Sequence, residues 1–102
     1  MARVELALAA VEDLDTLIRT HSLPPDTRAR VARSLRGLQE YPHMGPALSG
    51  RWEGLRFVLG PWRWMLLVYV FLEPEDRVVI VTIQDARSST AATGSRQGPG
   101  GE

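Results

Sequence analysis

Four arginines stand at the starts and ends of the apolar stretches in the second half of this 102-residue chain: Arg51, Arg56, Arg63 and Arg87. Arginine presents a planar fork of N–H donors that fits phosphate and carboxylate oxygens, and it keeps its charge at physiological pH. Side chains at strand ends and turns can converge on one site. The spacing therefore predicts a surface that grips a phosphate backbone or an acidic partner.

Positive charge is concentrated in the middle third of the chain, although the formal net charge is zero. Residues 28–63 hold seven arginines against two glutamates, a net charge of +5, whereas residues 1–27 carry −3 and residues 64–102 carry −2. Part of this charge is a stripe along one predicted helix, formed by Arg30, Arg33 and Arg36. Such a stripe is either the solvated side of the helix or a surface for RNA.

The composition excludes several kinds of site. Without cysteine the chain has no disulfide, no thiol nucleophile and no thiolate metal site. His21 and His43 fall in predicted loops, away from carboxylates at metal-ligand spacing, so we expect neither a metal nor a cofactor. The longest uncharged apolar run, residues 64–72, is far shorter than the roughly 20 residues of a membrane span, and the first residues lack the form of a signal peptide. We therefore expect a cytoplasmic protein that does not enter a membrane.

The elements that would position the arginines follow from the periodicity of the apolar residues. Alternation over residues 3–8 predicts a strand, and helical spacing then predicts a helix that stops at a double proline. A second helix should run from about residue 27 to Glu40. Three further strands are predicted at residues 52–59, 62–72 and 78–85. Short turns join these three strands, so they should pair as an antiparallel meander.

The resulting order of elements is βααβββ. It predicts an α+β fold in which a two-helix hairpin packs on one face of a four-stranded, mostly antiparallel sheet. Because residues 78–83 are apolar at almost every position, the last strand should be central and buried on both faces. Residues 1–87 are expected to form the single domain. The small, polar and glycine-rich stretch 88–102 is predicted to be a disordered tail.

These residues resemble the RelE/ParE superfamily, the toxins of bacterial type II toxin-antitoxin systems. The family pattern is a Leu-x-Gly start, a strand with glycine and arginine, a Gly-x-aromatic-Arg turn, and an apolar last strand that ends in a basic residue. The matching residues are, in chain order, Leu48, Gly50, Gly54, Arg56, Gly60, Trp62, Arg63, residues 78–83 and Arg87. The resemblance covers residues 3–88 and implies that the first strand lies beside the last.

One branch of this superfamily cuts messenger RNA in the ribosomal A site, with the ribose 2′-OH as nucleophile. The resemblance implies that this protein is such a ribosome-dependent endoribonuclease, or mRNA interferase, and that it blocks translation. Its catalytic cations would be Arg56, Arg63 and Arg87, which would stabilise the phosphorane. The RNA-binding residues would be Arg51, Arg30, Arg33 and Arg36.

The acid and base of such a reaction are not evident from the sequence. Many cleaving members carry a tyrosine or histidine just after the last strand, whereas residues 85–90 here read Asp-Ala-Arg-Ser-Ser-Thr. Arginine hardly deprotonates and is a poor general base. Two other functions therefore stay open: inhibition of DNA gyrase through protein contacts, as in the ParE branch, and a catalytically inactive binding module.

The resemblance to these toxins also implies a protein partner. Toxins of this kind are silenced by a cognate antitoxin, often acidic, that wraps the toxin with a helix or strand in a hetero-oligomer. Apolar side chains on an exposed strand or groove are candidates for that contact. We predict Trp52, Phe57 and Trp64 as antitoxin-binding residues.

Overall fold

The computed structural model describes residues 1–88 and 91–93. Its elements are strand β1 (Arg3–Leu6), helices α1 (Leu8–Thr20), α2 (Thr27–Ser34) and α3 (Gly37–Glu40), and strands β2 (Arg56–Leu59), β3 (Met65–Leu72) and β4 (Arg77–Asp85). Short 3-10 helices cover Gly50–Trp52 and Glu73–Glu75. No helix in these residues has the length and apolar content to cross a membrane.

The four strands form one sheet in the order β1-β4-β3-β2. Strand β4 runs parallel to β1 and antiparallel to β3, and β3 runs antiparallel to β2. This arrangement confirms the predicted order of elements, the mostly antiparallel sheet and the place of the last strand beside the first.

A bulge bends β4 where helix α1 crosses it. Val68 pairs with Thr82 and Tyr69 pairs with Ile80, so Val81 is the extra residue of β4. Just beyond the bulge, the Asp13 carboxylate of α1 accepts the Thr82 hydroxyl proton at 2.6 Å and the backbone N–H of Ile83 at 3.2 Å. These bonds hold α1 along β4, so the end of the helix lies near the end of the strand.

Two cores lie on the two faces of the sheet, because successive side chains of β3 alternate between them. The helices cover the larger core, whose members include Leu14, Val31, Leu38, Met65, Leu67, Tyr69, Val78 and Ile80. The smaller core holds Leu48, Leu66, Val68, Ala91 and Ala92. With both faces covered, five consecutive residues of β3, from Met65 to Tyr69, are buried.

Three predictions need correction. Strand β4 is central, but its buried residues alternate with half-buried ones, so the strand buried on both faces is β3. The predicted second helix is divided into α2 and α3 at residues 35–36. Strand β2 begins at Arg56 rather than residue 52, because Gly50 and Gly54 have positive φ angles of 65° and 93° and turn the chain there.

The predicted tail also differs where it is described. Ala91 and Ala92 are buried in the smaller core, and the backbone N–H of Ala92 donates to the Gln84 side chain at 2.7 Å. The methyl groups of these alanines can pack on the shallow surface beside β3. The small and polar composition of residues 88–102 did not indicate such packing. The rest of the predicted tail, residues 89–90 and 94–102, lies outside the described residues.

Tyr69 anchors the long loop between α3 and β2. Its buried hydroxyl donates to the Pro42 carbonyl at 2.7 Å and accepts the Gly45 N–H at 3.1 Å. Burial raises the pKa of Tyr69, which keeps the hydroxyl proton that the first of these bonds requires. From the neighbouring strand, Arg56 donates to the carbonyls of His43 at 3.2 Å and Gly45 at 2.7 Å. The loop is thereby held from two strands.

Candidate functional site

Aromatic and charged side chains gather at the end of the sheet where β4 stops. Asp85, the last residue of β4, pairs with the first residue of β3. The turn before β3 brings two tryptophans to this end, and α1 finishes here one residue before His21. We call His21, Trp62, Trp64, Asp85 and Arg87 the sheet-end cluster.

Asp85 is the common acceptor of this cluster. Arg87 donates Nε to Oδ1 and Nη2 to Oδ2, both at 2.9 Å, and its backbone N–H also donates to Oδ1 at 2.9 Å. His21 Nε2 lies 3.2 Å from Oδ2. The Arg87 guanidinium holds the pKa of Asp85 well below its usual value of 3.8, and Asp85 in turn raises the pKa of Arg87. Asp85 is therefore ionised and can only accept hydrogen bonds.

The two tryptophans form the flat apolar part of the cluster. The His21 ring stacks on Trp64 with centroids 4.7 Å apart and planes 13° apart, and Trp62 stacks on Trp64 at 6.0 Å and 18°. The guanidinium carbon of Arg87 is 5.0 Å from the Trp64 ring centroid, and that of Arg30 is 5.8 Å from the Trp62 ring. Cations held against aromatic faces are the combination that binds phosphates while bases stack.

The bond to Asp85 also decides the tautomer of His21. Because the carboxylate only accepts, Nε2 must carry the proton, and the neutral imidazole then keeps its lone pair on Nδ1. The Thr20 hydroxyl lies 3.0 Å from Nδ1 and can donate to it. The His21 side chain is 29% exposed, so Nδ1 is held in place without being sealed from solvent.

Of the three predicted catalytic arginines, one belongs to the sheet-end cluster and a second is its neighbour in the chain. Arg87 is a member, and Arg63 lies between the two tryptophans of the turn. Arg63 is exposed and, within residues 1–88 and 91–93, has no hydrogen bond or ion pair. Arg56 pairs with Tyr69, which lies about 13 Å along β3 from the cluster at about 3.3 Å per residue. Its guanidinium holds the loop carbonyls, and its catalytic role stays a prediction.

The predicted RNA-binding arginines do not form one surface. Arg30 bonds the Asp26 carboxylate at 3.0 Å, which lowers the pKa of Asp26, and it reaches Trp62 of the cluster. Arg33 and Arg36 are exposed farther along the helix hairpin. Arg51 instead lies over Trp52, 5.5 Å from its ring, in the 3-10 helix before β2. Only Arg30 therefore extends the sheet-end cluster.

The structure also divides the predicted antitoxin-binding residues. Trp52 and Phe57 are partly buried against the smaller core, whereas Trp64 packs against the larger one within the sheet-end cluster. The first two share a surface, and the third lies on the other face of the sheet. All three stay predicted contacts.

An apolar groove of about 410 Å³ lies between β1, α1 and α2, which the sequence did not indicate. Its lining residues are Val4, Leu6, Val11, Leu14, Val31, Ala32 and Leu35, with Arg28, Arg36 and Gln39. Val11 of α1 is 39% exposed in this groove. Strand β1 is an edge strand beside the groove, with one side of its backbone unpaired within the sheet.

Within the described residues, no three His, Asp or Glu side chains come together in a way that could hold a metal ion. The sheet-end cluster has one imidazole and one carboxylate, and that carboxylate is already bonded to Arg87. The side chains of this cluster can exchange hydrogen bonds, attract anions through Arg87 and transfer protons through His21.

Asp85 should make the stability of the fold sensitive to acid. Because its folded pKa is depressed below 3.8, its bonds contribute stability above that pH, and the contribution is lost as the pH falls through the folded value. We expect Asp85→Asn to lower the free energy of unfolding at pH 7 and to flatten its fall below about pH 4. Urea unfolding of both proteins between pH 7 and pH 3 measures the difference. Parallel stability curves would contradict the assignment.

No protein-family model matches the sequence, and the comparison with curated proteins found no match. Solved structures are similar. A chain of the toxin-antitoxin complex RelBE2 from Mycobacterium tuberculosis superposes with a TM-score of 0.63 at 23% identity, over 82% of this chain and 96% of the other. For the intact RelBE toxin-antitoxin complex of E. coli the TM-score is 0.61 at 15% identity, over 86% and 100%.

The isolated RelE toxin of E. coli is similar over nearly the whole of both chains. Its TM-score is 0.61 at 12% identity, with 95% of this chain and 97% of the toxin covered. This chain and these solved structures thus share an overall fold at sequence identities of 23% or less. The chain has the fold of the RelE toxins.

Proposed function

We propose that the protein is the toxin of a type II toxin-antitoxin pair and that it cleaves messenger RNA in the ribosome. The observation that carries this proposal is the sheet-end cluster on a RelE fold. It combines a cation held against an aromatic ring with an imidazole that has a directed lone pair, and the exposed Arg63, which has no hydrogen bond or ion pair among the described residues, adjoins it in the chain. A toxin of this kind acts on ribosomes and therefore in the cytoplasm.

The two arginines have different roles in the proposed reaction. Attack of the 2′-OH builds negative charge on the phosphoryl oxygens, which preorganised N–H donors stabilise. Among the described residues Arg63 has no hydrogen-bond or ion-pair partner, so its guanidinium is available for this purpose. Arg87 directs Nε and one Nη2 hydrogen to Asp85, which leaves three N–H donors for a phosphate. The Trp64 ring is already covered by His21, Trp62 and Arg87, so the neighbouring base would stack on Trp62 in place of the Arg30 guanidinium, for about 1–3 kcal/mol.

The test is induction in bacteria with cleavage mapped on translating ribosomes, beside a gyrase supercoiling assay. The proposal expects cuts at defined positions within codons and unchanged supercoiling. Lost supercoiling without cuts would replace it with gyrase inhibition. Normal growth with no effect in either assay would leave an inactive binding module.

We further infer that the antitoxin occupies the groove between β1, α1 and α2. The floor of the groove is apolar, while Arg36 places positive charge on its lining, beside Arg28, which is paired with Asp15. An amphipathic segment with an apolar face and acidic flanks is complementary to both features. The free edge of β1 offers backbone groups to the same segment.

A new acidic side chain in the groove should repel such a partner. Ala32 is exposed and lines the groove, whereas Ala29 is exposed on the same helix and does not. We expect Ala32→Glu to weaken binding of the cognate antitoxin about 10-fold or more, and Ala29→Glu to leave it within about 2-fold, because like charges facing each other across an interface are costly. Calorimetric titration of purified toxin with antitoxin measures both. Equal affinities for the two variants would mean that the antitoxin binds outside the groove.

A further inference from the structure

We propose that His21 is the general base of the RNA cleavage reaction and that Asp85 is the residue that positions it. This inference rests on the proposed nuclease function and supplies the base that the sequence lacks after its last strand. It is carried by three contacts of one imidazole: Nε2 to Asp85, the ring face to Trp64, and Nδ1 to a hydroxyl.

The first two contacts orient the ring. The ionised carboxylate holds the proton on Nε2, so the lone pair stays on Nδ1, and stacking on Trp64 restricts rotation about the side-chain bonds. A base oriented by a carboxylate through its other nitrogen is a recurring solution in catalysis, because the carboxylate also stabilises the imidazolium that forms on proton uptake.

The third contact indicates which kind of group can donate a hydrogen bond to Nδ1. The Thr20 hydroxyl, 3.0 Å away, is an alcohol, as is the ribose 2′-OH. Both residues are exposed, so a substrate hydroxyl can take the place of the Thr20 hydroxyl on the lone pair. Nδ1 is thus already placed to receive an alcohol proton.

The position of Arg87 puts the reacting phosphate within reach. Arg87 Nη2 and His21 Nε2 both bond Asp85 Oδ2, at 2.9 Å and 3.2 Å, so these nitrogens lie within about 6 Å of each other. A phosphate on the remaining donors of Arg87 is thus near the Nε2 edge of the ring, and the proposal requires the attached ribose to reach from there to Nδ1 on the other edge. The 2′-OH that attacks this phosphate belongs to the adjoining ribose, so base and cation act on neighbouring groups of one nucleotide.

The chemical step is balanced without a further reactant. His21 Nδ1 takes the 2′-OH proton as the 2′ oxygen forms a bond to phosphorus. The bond from phosphorus to the 5′ oxygen of the next nucleotide breaks, and that oxygen takes a proton from water. The products are a 2′,3′-cyclic phosphate and a 5′-OH, and the imidazolium returns its proton to solvent.

The first test compares His21→Gln with His43→Gln on programmed ribosomes. His43 makes an edge contact with Phe71 in the long loop and serves as the matched histidine outside the cluster. We expect His21→Gln to lower the cleavage rate about 10²-fold or more, and His43→Gln to keep the wild-type rate. RNA binding by His21→Gln should be unchanged, since the cations remain.

Chemical rescue separates lost catalysis from lost folding. His21→Ala leaves a space beside Trp64, and added imidazole should restore cleavage in proportion to its concentration, by about 10-fold or more at the highest. The positioning role of Asp85 has its own readout. In Asp85→Asn the ¹⁵N shifts of His21 should report loss of the single Nε2–H tautomer, independently of any activity.

The outcomes distinguish the two proposals. If the wild type cleaves RNA and His21→Gln cleaves equally fast, His21 is not the base, while the nuclease function stands. If the wild type cuts no RNA, the proposed function fails and the inference fails with it. A wild-type His21 that is protonated on Nδ1 rather than Nε2 would also overturn the assignment.

Discussion

Replacing Arg63 with alanine is expected to lower the rate of ribosome-dependent cleavage by about 10²–10³-fold, the usual cost of removing one preorganised donor to a transition-state oxyanion. Stability should not change, because Arg63 is exposed and has no hydrogen bond or ion pair among the described residues. This makes Arg63 a sharper probe than Arg87, whose removal also frees Asp85 and uncovers Trp64. Single-turnover cleavage on programmed ribosomes measures the rate, and urea unfolding measures stability.

Arg3→Ala is the matched control for the loss of charge. Arg3 lies in β1 opposite Arg77, the first residue of β4, so it is at the far end of that strand from Asp85. Its exposed ion pair with Glu5 contributes about 0–1 kcal/mol. If Arg3→Ala and Arg63→Ala reduce cleavage equally, the effect is one of net charge, and Arg63 has no role at the phosphate.

Replacing Gly45 with alanine is expected to lower the free energy of unfolding by about 3 kcal/mol. A Cβ at this position would lie 2.2 Å from the Phe57 carbonyl oxygen and 3.0 Å from the Tyr69 hydroxyl. The loop cannot move away from Phe57 without breaking hydrogen bonds, because Tyr69 bonds the Gly45 N–H and Arg56 bonds the Gly45 carbonyl. The added methyl must therefore displace backbone or break buried hydrogen bonds.

Gly54→Ala is the control for this second prediction. Gly54 has a φ of 93°, and apart from its chain neighbours no atom of the described residues lies within 4 Å of the position that a Cβ would take, so alanine there meets backbone strain without a collision. We expect a cost of about 1–2 kcal/mol. Urea unfolding of both variants gives the comparison. A Gly45 variant no less stable than the Gly54 variant would mean that the loop is not held closely against β2 and β3.

The order and type of the elements were predictable because they depend on local patterns. Alternating apolar residues identify β1, and the double proline separates the helices whatever lies far away in the chain. The Gly60–Pro61 turn is likewise a local feature, and the residues after it place Arg63 between Trp62 and Trp64 just before β3. The burial of each strand was less predictable, because β3 and β4 are both runs of apolar residues. Which of them is buried on both faces depends on the distant segments that cover the smaller core.

The candidate site was predictable only in part. Arg63 and Arg87 were identified because each lies at the end of an apolar strand, and both are at the end of the sheet. Arg56 satisfies the same pattern, yet the register of β2 on β3 places it beside Tyr69, where it holds the long loop. The periodicity of a strand predicts on which face of the sheet a side chain lies. The register between strands and the path of the loops determine which residues that side chain contacts.

His21 shows most clearly what the sequence does and does not determine. By itself the sequence determined a βααβββ chain with cations at strand ends, because propensity and periodicity act over a few residues. Only the tertiary structure brought His21 to Asp85, 64 residues away, through the crossing of α1 over β4 and the stacking on Trp64. The residues around a histidine in a loop do not indicate its hydrogen-bond partner, because hydrogen bonds between distant elements form only when packing brings those elements together.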